Sequence, residues 1–564
     1  MKNILISSWQ LLTYFFVGIP LRLIFRVKRR VNYKFEKDKN YILAANHPGR
    51  IDPFLISYSF PFMDFLKLIP FRFVTADKYL KNPFLKPFLL LWGCFSTREH
   101  KQSVLSRAKK LLQKGETIFI FPGGEIEGEK KENMPKVGMV YLEREVINSK
   151  IIPIHINGTK NINLKNKVII NYKKQVRHKE FPEDLHPLAN EVYTTIMKSN
   201  TIHQDDLFEL PWKNTDNPNG WIEPTTFCQF KCPGCYRGLA ENEVKREHES
   251  LESMKNQVEW FYKNRNTQTI SIAGGEPLLY PQLEELIEYI SKKNLKTKIY
   301  TNAVSLTKEK LLRLKKAGAT EIIIHLDKFQ RGLPSEQEVN QLREEYCNLF
   351  REVKGINLGF IMPISKQNVT DLKILAKFFQ NNSDIVSLVV FTVYKEMLPG
   401  KVIEKDLEIG MEDVAEAVKK SFDLSYSAYL GKKFGNSISW LFSLSAYADG
   451  KVIKSFDKSF YKKIQEDYYS RKGKYFITKL NRAIPPKKLI LARNKSAKKI
   501  ALDAMKRNCS QINTQTVLII DAPEINNGNW NICNSCPDAM IHNNRLVPSC
   551  LLERIKGGEN IEIN

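Results

Sequence analysis

The chain has 564 residues, several times the usual domain length of about 100 to 200, so at least two separately folded cores are expected. Lys and Arg outnumber Asp and Glu by 87 to 61, and the formal net charge of +26 favours an anionic partner such as a phospholipid surface or nucleic acid. The charge is spread through nearly every segment and no RGG, zinc-finger or RNP-like pattern accompanies it, so nucleic acid is set aside.

From Ile4 to Phe25 the chain is rich in Leu, Ile, Phe and Trp, interrupted by Ser7, Ser8, Gln10, Pro20 and Arg22. The basic cluster Arg26, Lys28, Arg29 and Arg30 follows this run and no small-residue cleavage site is evident, so residues 1–30 read as a membrane-associating segment and not as a cleaved signal peptide. The positive-inside rule then puts the remainder on the cytoplasmic side of the cell membrane. The apolar length suits a spanning helix, the polar interruptions suit an interfacial one, and a buried core helix is a third alternative.

Next come a short apolar segment, Tyr41 to Ala45, a helix-like stretch, Ser103 to Lys114, and β-like runs at Thr117 to Phe121 and Lys150 to Ile156. That alternation predicts an α/β layer structure over 31–200. Pro182, Pro187, Pro211, Pro218 and a turn-prone Asn-Thr-Asp-Asn-Pro-Asn-Gly run follow, and 201–220 reads as a linker. From Trp221 a strand–helix rhythm begins, with strands at Thr269–Ala273, Thr297–Thr301, Glu321–Leu326, Asn357–Met362 and Ser387–Val393. Short apolar strands joined by amphipathic helices predict parallel βαβ units and a complete or partial β/α barrel over 221–400. Residues 401–564 form a C-terminal extension.

The first chemical signal is Asn46-His47-Pro48-Gly49-Arg50-Ile51-Asp52-Pro53. On a regular helix His47 and Asp52 would diverge, so a shared site requires a loop, which Pro48 and Gly49 favour. Pro53 suits the first helical position with Asp52 as its cap, which is the structural alternative for that carboxylate. Together the pair supplies a base and its orienting carboxylate, able to deprotonate an acceptor hydroxyl that attacks a thioester directly. His-x4-Asp after Asn resembles the signature of glycerolipid acyltransferases of the lysophosphatidate acyltransferase type. Gly93 to Arg98 resembles the family's second block, which implies Arg98 as a phosphate or acceptor contact. Phe121-Pro122-Gly123-Gly124-Glu125-Ile126-Glu127 resembles a variant of the third, implying Gly123, Gly124 and Glu127 as substrate-binding residues, and Ile152-Pro153-Ile154 matches the fourth. The family commonly has glutamate where Gly123 stands, so the resemblance leaves the acceptor open.

The second signal is Cys228-x3-Cys232-x2-Cys235-Tyr236. Three thiolates within eight residues can bind one face of a cubane cluster and leave a fourth iron without a protein ligand, whereas a structural zinc site needs a fourth ligand that does not follow nearby. The motif resembles the radical SAM superfamily, which implies a 4Fe-4S cluster, S-adenosyl-L-methionine and an external reductant such as flavodoxin or ferredoxin. Gly274-Gly275-Glu276-Pro277 ends a strand and resembles the family's methionine-binding motif; Tyr236, Asn302, Asp327 and Asn368 occupy places where relatives contact the cofactor. Cys533, Cys536 and Cys550 resemble auxiliary-cluster extensions of the SPASM or twitch kind, with Cys509 as a fourth ligand and structural zinc as the alternative. Cys94 and Cys347 read as buried or incidental thiols.

The fold expected is α/β throughout: an acyltransferase-type domain behind a membrane-associating helix, a radical SAM partial barrel and a small Cys-rich extension. The function implied is acyl transfer from acyl-CoA or acyl carrier protein to a lipid hydroxyl, plus radical modification of the same or a related membrane lipid. The alternative is a radical SAM peptide or protein maturase carrying a non-catalytic lipid-binding module.

Overall fold

The computed structural model describes residues 2–31, 35–36, 40–96, 103–124, 135–159, 168–173, 175–178, 180–197, 202, 204–232, 234–239, 245–397, 407–434, 437–477, 483–492, 494–526 and 529–561. It divides into two compact units, Met1–Asn200 and Thr201–Asn564.

In the first unit, strands β1 (Lys28–Val31), β2 (Asn40–Ala45), β3 (Phe71–Thr75), β4 (Cys94–Ser96), β5 (Thr117–Ile120), β6 (Ser149–Asn157) and β7 (Ile169–Tyr172) form one sheet in the order β1-β7-β6-β2-β5-β3-β4. Neighbours are parallel except β6 and β7. Side chains of β2 alternate between two cores: Tyr41, Leu43 and Ala45 on one face, Ile42 and Ala44 on the other. A strand covered on both faces has no polar side to show, which is why Tyr41–Ala45 is an unbroken apolar run. The Tyr41 face is covered by an N-terminal helix, made of α1 (Lys2–Thr13), a π-helical turn (Tyr14–Gly18) and α2 (Ile19–Ile24), and by α3 (Asp52–Tyr58) and α4 (Phe62–Leu68). Beside them lie α5 (Asp77–Leu80) and α6 (Lys86–Leu91). Helices Val104–Leu112, Gly138–Glu145 and His186–Met197 cover the other face.

In the second unit, six strands run parallel and in chain order: β9 (Asn219–Thr225), β10 (Thr269–Gly274), β11 (Lys296–Thr301), β12 (Ala319–His325), β13 (Asn357–Ile364) and β14 (Val386–Val393). A helix fills each crossover, and apolar side chains such as Ile322 and Ile324 pack beneath those helices while Ile323 points the other way. This is the arrangement of a partial β/α barrel. One expectation needs correction. Residues 201–220 are no linker, because β8 (Phe208–Glu209) pairs with β15 (Ala428–Gly431) and Leu210 and Trp212 are buried in the core. The extension continues the same sheet: β18 (Asn513–Ile520) adds a seventh parallel strand beside β14, followed by antiparallel β16 (Ile438–Ala448), itself flanked by β15 and β17 (Lys451–Ser455). Local turn residues marked a boundary at 201–220, but long-range strand pairing decided it. Two ribbons complete the unit, β19 (Glu524–Asn526) with β20 (Asn529–Asn531) and β21 (Ala539–His542) with β22 (Arg545–Pro548). Cys533, Cys536 and Ala539 share a core with the inward-facing Ile323, Leu388 and Val390.

Candidate functional site

The first site is built where β2 ends. Asn46 clamps the chain to β6: its Oδ1 accepts from Ile156 N at 2.7 Å and its Nδ2 donates to Ile156 O at 3.0 Å. The chain then turns through Pro48 and Gly49, where a Cβ on Gly49 would lie 2.3 Å from Thr159 O, so only glycine lets the two backbones pass. Helix α3 begins at Asp52 with Ile51 as its cap, one residue earlier than the sequence suggests. Its carboxylate is therefore turned to the loop and does not cap the helix. Asp52 Oδ2 accepts from Gly49 N at 2.7 Å and sits 2.9 Å from His47 Nδ1. That contact holds the proton on Nδ1 and leaves Nε2 as the basic nitrogen. The ring stacks on Phe121 at 4.3 Å, Asp52 is fully buried, and the His47 side chain stays about one-fifth exposed, at 19%.

Phe121 brings the third block to the pair. Gly123 lies near the Tyr193 hydroxyl, and Gly124, at φ +74°, is crossed by Lys136, whose Nζ would be 2.7 Å from a Cβ there. Phe121 opens the third block, but its place as the wall behind His47 was not read from the sequence, and Lys136, a cation at the glycine turn, belongs to no motif. Arg98 and Glu127 lie outside the described residues. Cys94 is buried in β4, and Pro153 pairs with Ala44 across β2 and β6.

The second site lies at the C-terminal mouth of the partial barrel, in the loop after β9, which carries Cys228, Cys232 and Cys235, all partly exposed. Burial, then the charges of Cys235 and Cys228, push the Cys232 thiol up to about 12, and burial also raises Cys228. Three thiols that repel one another as thiolates gain most from a cationic iron group between them. Among the described residues no three His, Cys, Asp or Glu side chains converge closely enough to hold a single metal ion. A multi-iron cluster binds each thiolate to a different iron and tolerates the wider spread, so these residues fit such a group. Asn302 Nδ2 sits 3.8 Å from Cys228 Sγ and donates to Gln229 Oε1 at 3.0 Å.

The polar residues expected to face S-adenosyl-L-methionine are mostly engaged elsewhere. Glu276 is fully buried, and its carboxylate accepts from Leu278 N (3.0 Å), Thr301 Oγ1 (2.6 Å) and Asn302 N (2.7 Å), tying the end of β10 to that of β11. Gly274 and Gly275 let the chain after β9 pass close by: a Cβ on Gly275 would meet Phe227 O at 2.3 Å. Pro277 opens a short 3-10 turn, Pro277–Leu279. Asp327 caps the helical turn Lys328–Arg331 through Phe329 N and Gln330 N, and its Oδ2 lies 2.8 Å from His325 Nε2. Burial opposes its ionisation, but His325 and the two amides hold it below the usual carboxylate range. Asn368 closes its own turn, accepting from Ser365 N at 2.8 Å and donating to Pro363 O at 2.9 Å. Tyr236 turns inward, its hydroxyl donating to Glu223 Oε1 at 2.8 Å, where Trp221 Nε1 also donates and Arg237 Nε lies 2.8 Å from Oε2. Trp221, Glu223, Arg237 and His325 were not singled out from the sequence. The signal for Glu223 was there: a carboxylate directly after Trp221 and Ile222 in the segment that opens the second module needs a buried partner.

Cys533 and Cys536 share a hydrogen bond, and Cys550 lies within their electrostatic reach. Their turn is pinned to the N-terminal ends of the barrel strands: Asn217 Nδ2 donates to Ser535 O (2.9 Å), Asn219 Nδ2 to Pro537 O (3.2 Å), and Arg265 to Cys536 O. The Ser535–Pro537 turn thus meets the start of β9 while the Cys228 loop follows its end, roughly 20 Å along the strand at about 3.3 Å per residue; from that turn the group reaches upward, Cys533 pairing with Lys432 and Cys550 packing against the same cluster as Tyr236. Cys509 joins neither. It lies beside Asp449 at 3.7 Å, at the Tyr447–Asn513 end of the β16–β18 ladder, while Cys533 pairs with Lys432 near the Trp440–Ile520 end, roughly 24 Å away at about 3.4 Å per residue. The expectation that Cys509 is a fourth ligand is therefore corrected. Cys347 is buried beneath the barrel helices.

Residues 26–157 match the family model described as Acyltransferase, and residues 222–379 match that of the Radical SAM superfamily. The chain thus joins an acyltransferase domain to a radical SAM domain. Among curated proteins it is similar to the Fe-coproporphyrin III synthase of Methanosarcina barkeri, 27% identical over 154 residues, covering 26% of this chain and 37% of that one. It is also similar to the antilisterial bacteriocin subtilosin biosynthesis protein AlbA of Bacillus subtilis, 32% identical over 94 residues, covering 17% and 20%. The chain thus spans well under half the length of either relative. Among solved structures, Streptococcus suis SuiB bound to S-adenosylmethionine matches with a TM-score of 0.30 and 18% identity, covering 44% of this chain and 54% of that one.

Proposed function

We propose that the chain is a bifunctional membrane-lipid enzyme on the cytoplasmic side of the cell membrane. In the first domain His47 Nε2 takes the proton of a lipid hydroxyl as its oxygen attacks the thioester of acyl-CoA or acyl carrier protein. The tetrahedral adduct collapses to the ester, and the thiol leaves with the proton that His47 returns. Asp52 holds the ring and stabilises the imidazolium formed between the two steps. In the second domain Cys228, Cys232 and Cys235 would hold a 4Fe-4S cluster. With S-adenosyl-L-methionine and an electron from flavodoxin or ferredoxin, that group supplies hydrogen abstraction from an unactivated C–H bond. Exposed Phe227, Val304 and Phe329, in the loops after β9, β11 and β12, give the barrel mouth an apolar rim suited to an amphiphile. Cys533, Cys536 and Cys550 would hold an auxiliary cluster, with zinc as the alternative.

One observation carries the lipid reading: the His47–Asp52 pair is complete, with its carboxylate fully buried. Burying a carboxylate costs stability wherever an oxygen is left without a hydrogen bond, as Asp52 Oδ1 is, so a pair kept in this form argues against a module that merely binds lipid. The second reading, a peptide maturase, draws on the name of the AlbA relative, which concerns a bacteriocin; the other relative's name concerns a porphyrin, so the two names do not agree on a substrate class.

The test is anaerobic whole-cell lipid mass spectrometry in a native host carrying wild type, His47→Ala, or the triple substitution Cys228→Ala, Cys232→Ala and Cys235→Ala. Loss of one lipid class in both variants, with an acylated but unmodified species accumulating in the triple variant, is expected. Unchanged lipids, with a peptide losing a modification in the triple variant, would replace this reading with the maturase.

A further inference from the structure

The loop that carries Cys228, Cys232 and Cys235 is held at its two ends by different parts of the fold. Its first half is tied to the barrel mouth. Asn302, after β11, donates to Gln229 Oε1 at 3.0 Å and lies 3.8 Å from Cys228 Sγ, and the Arg331 guanidinium sits 4.9 Å over the Phe230 ring. Its last turn, Cys235 to Arg237, is held by β9 and by the C-terminal segment. Tyr236 packs into two small cores built largely from that segment, one with Val547 and Leu552, the other with Leu551 and Cys550.

Three charges are enclosed beside it. Glu223 lies on β9, where Ile222 packs beneath the barrel helices and the side chains of Trp221 and Glu223 turn to the opposite, inner face. Glu223 Oε1 accepts from Trp221 Nε1 and from Tyr236 Oη, both at 2.8 Å, and Oε2 lies 2.8 Å from Arg237 Nε. Arg237 is 3% exposed, and its Nη1 donates to Glu553 Oε1. Glu553 stands on the short helix Leu552–Lys556, which follows the turn Ser549–Leu551 that contains Cys550. One guanidinium thus joins the wall of the barrel, the turn at Cys235 and the helix after Cys550. Desolvation largely cancels the attraction within a buried ion pair, so three enclosed charges argue for a geometry that has to be kept and not for added stability. Outer contacts of metal-binding side chains act in that way: they set how the ligands stand, and losing one weakens the centre.

We propose that Arg237 is a positioning residue that couples the two thiol centres. With metal bound by Cys533, Cys536 and Cys550, the helix after Cys550 presents Glu553 to Arg237. Arg237 in turn holds Cys235 where the first loop takes its iron group and S-adenosyl-L-methionine. Without that metal the start of the helix loosens, Arg237 keeps only Glu223, and one of the three thiolates of the first loop loses its placement. The inference rests on the reading above that both thiol groups bind metal. It adds that the second centre serves the first through a named contact, whether its metal is an iron-sulfur cluster or zinc.

The test uses the full chain, reconstituted without oxygen. Wild type is compared with Cys536→Ser, Glu553→Gln and the double variant. Lys556→Gln is the control on the same helix, since exposed Lys556 meets Glu553 at 3.5 Å from the solvent side. Measured are iron, zinc and sulfide per chain, affinity for S-adenosyl-L-methionine, and the change that S-adenosyl-L-methionine causes in the electron paramagnetic resonance of the reduced protein. Cys536→Ser is expected to lose the metal of the second centre, and Glu553→Gln to keep it. Both should bind S-adenosyl-L-methionine about tenfold or more weakly, with an altered resonance. The double variant should be no weaker than either single one, because both break the same link, and Lys556→Gln should match wild type. Circular dichroism checks the fold, and a Glu553→Gln protein that loses it is replaced by Glu553→Asp, which keeps the charge but draws it back from Arg237. Effects that add in the double variant, or a Glu553→Gln protein with wild-type affinity and resonance, would overturn the coupling alone. A wild type whose resonance does not respond to S-adenosyl-L-methionine would overturn the reading of the first centre and the coupling with it. A wild type with no more metal than Cys536→Ser would do the same for the second.

Discussion

The two sites differ in what the protein itself has finished. At His47 the reactive geometry is complete: the ring nitrogen, its carboxylate and the amide that orients the carboxylate lie within hydrogen-bond distance. At the barrel mouth the side chains of Glu276, Asp327 and Asn368 have closed on the protein's own amides, hydroxyls and ring nitrogens, while three thiols are left clustered in one loop. A proton-transfer site must be pre-aligned, because the protein supplies the chemistry. A site that holds a reactive group needs firm walls and unspent donor atoms, because the group supplies the chemistry. Motif residues that look like ligand contacts can therefore be the walls.

The contrast breaks first at its largest effects. His47→Ala is expected to lower acyl transfer by about 10²- to 10⁴-fold, with iron content and reductive cleavage of S-adenosyl-L-methionine unchanged. The triple substitution of Cys228, Cys232 and Cys235 by Ala should do the reverse, abolishing that cleavage and lowering iron content while acyl transfer continues. Cross-effects in both directions would mean that the two domains are catalytically coupled. Asp52→Asn sharpens the first half. It removes the negative charge that stabilises the imidazolium and can turn an NH2 donor to His47 Nδ1, favouring the wrong tautomer, and the expected loss is again about 10²-fold or more in kcat with KM held. A change confined to KM would make Asp52 a binding residue.

A smaller effect separates the extension's thiols. Cys536→Ser should remove the metal of that centre, read as iron or zinc per chain, and Cys509→Ser should leave the content at wild type. Equal loss in both would restore Cys509 as a ligand against the separation of the two ends of the β16–β18 ladder.

These assignments show what was legible in the chain. Local spacing carried the thiol loop and His47–Asp52, because both are set within a few residues by a turn. The strand–helix rhythm of the barrel was readable for the same reason: each βαβ unit writes its own periodicity. What escaped was decided at long range. Phe208–Glu209 became a strand only by pairing with Ala428–Gly431, over 200 residues away in sequence. Asn513–Ile520 joined the barrel by pairing with β14, and Cys509 was separated from Cys533 by the length of a ladder no local pattern records. Glu276 was found by its motif, but the three hydrogen bonds by which its carboxylate ties β10 to β11 were not foreseen, since motif spacing does not say which way a carboxylate turns.

Glu276→Gln tests that last point with the smallest expected effect. The side chain keeps its shape, but its carboxylate accepts from three donors, and glutamine offers an NH2 group where one oxygen stood. Either Asn302 N or the Leu278 N and Thr301 Oγ1 pair then faces a donor inside the core. A buried unsatisfied group of this kind costs about 1–3 kcal/mol, read as a lower midpoint in chemical denaturation. Burial holds the Glu276 carboxyl above the usual range in the folded chain. The folded state therefore binds its proton more tightly than the unfolded one, and wild-type stability falls as pH rises from the ordinary carboxylate range toward the folded value. The glutamine variant should lose that part of the slope. Affinity for S-adenosyl-L-methionine should change little, since the carboxylate serves as a tie between β10 and β11. If binding collapses while the denaturation midpoint and its pH slope stay at wild type, the carboxylate contacts the ligand, and the contrast between a finished site and a walled one no longer holds.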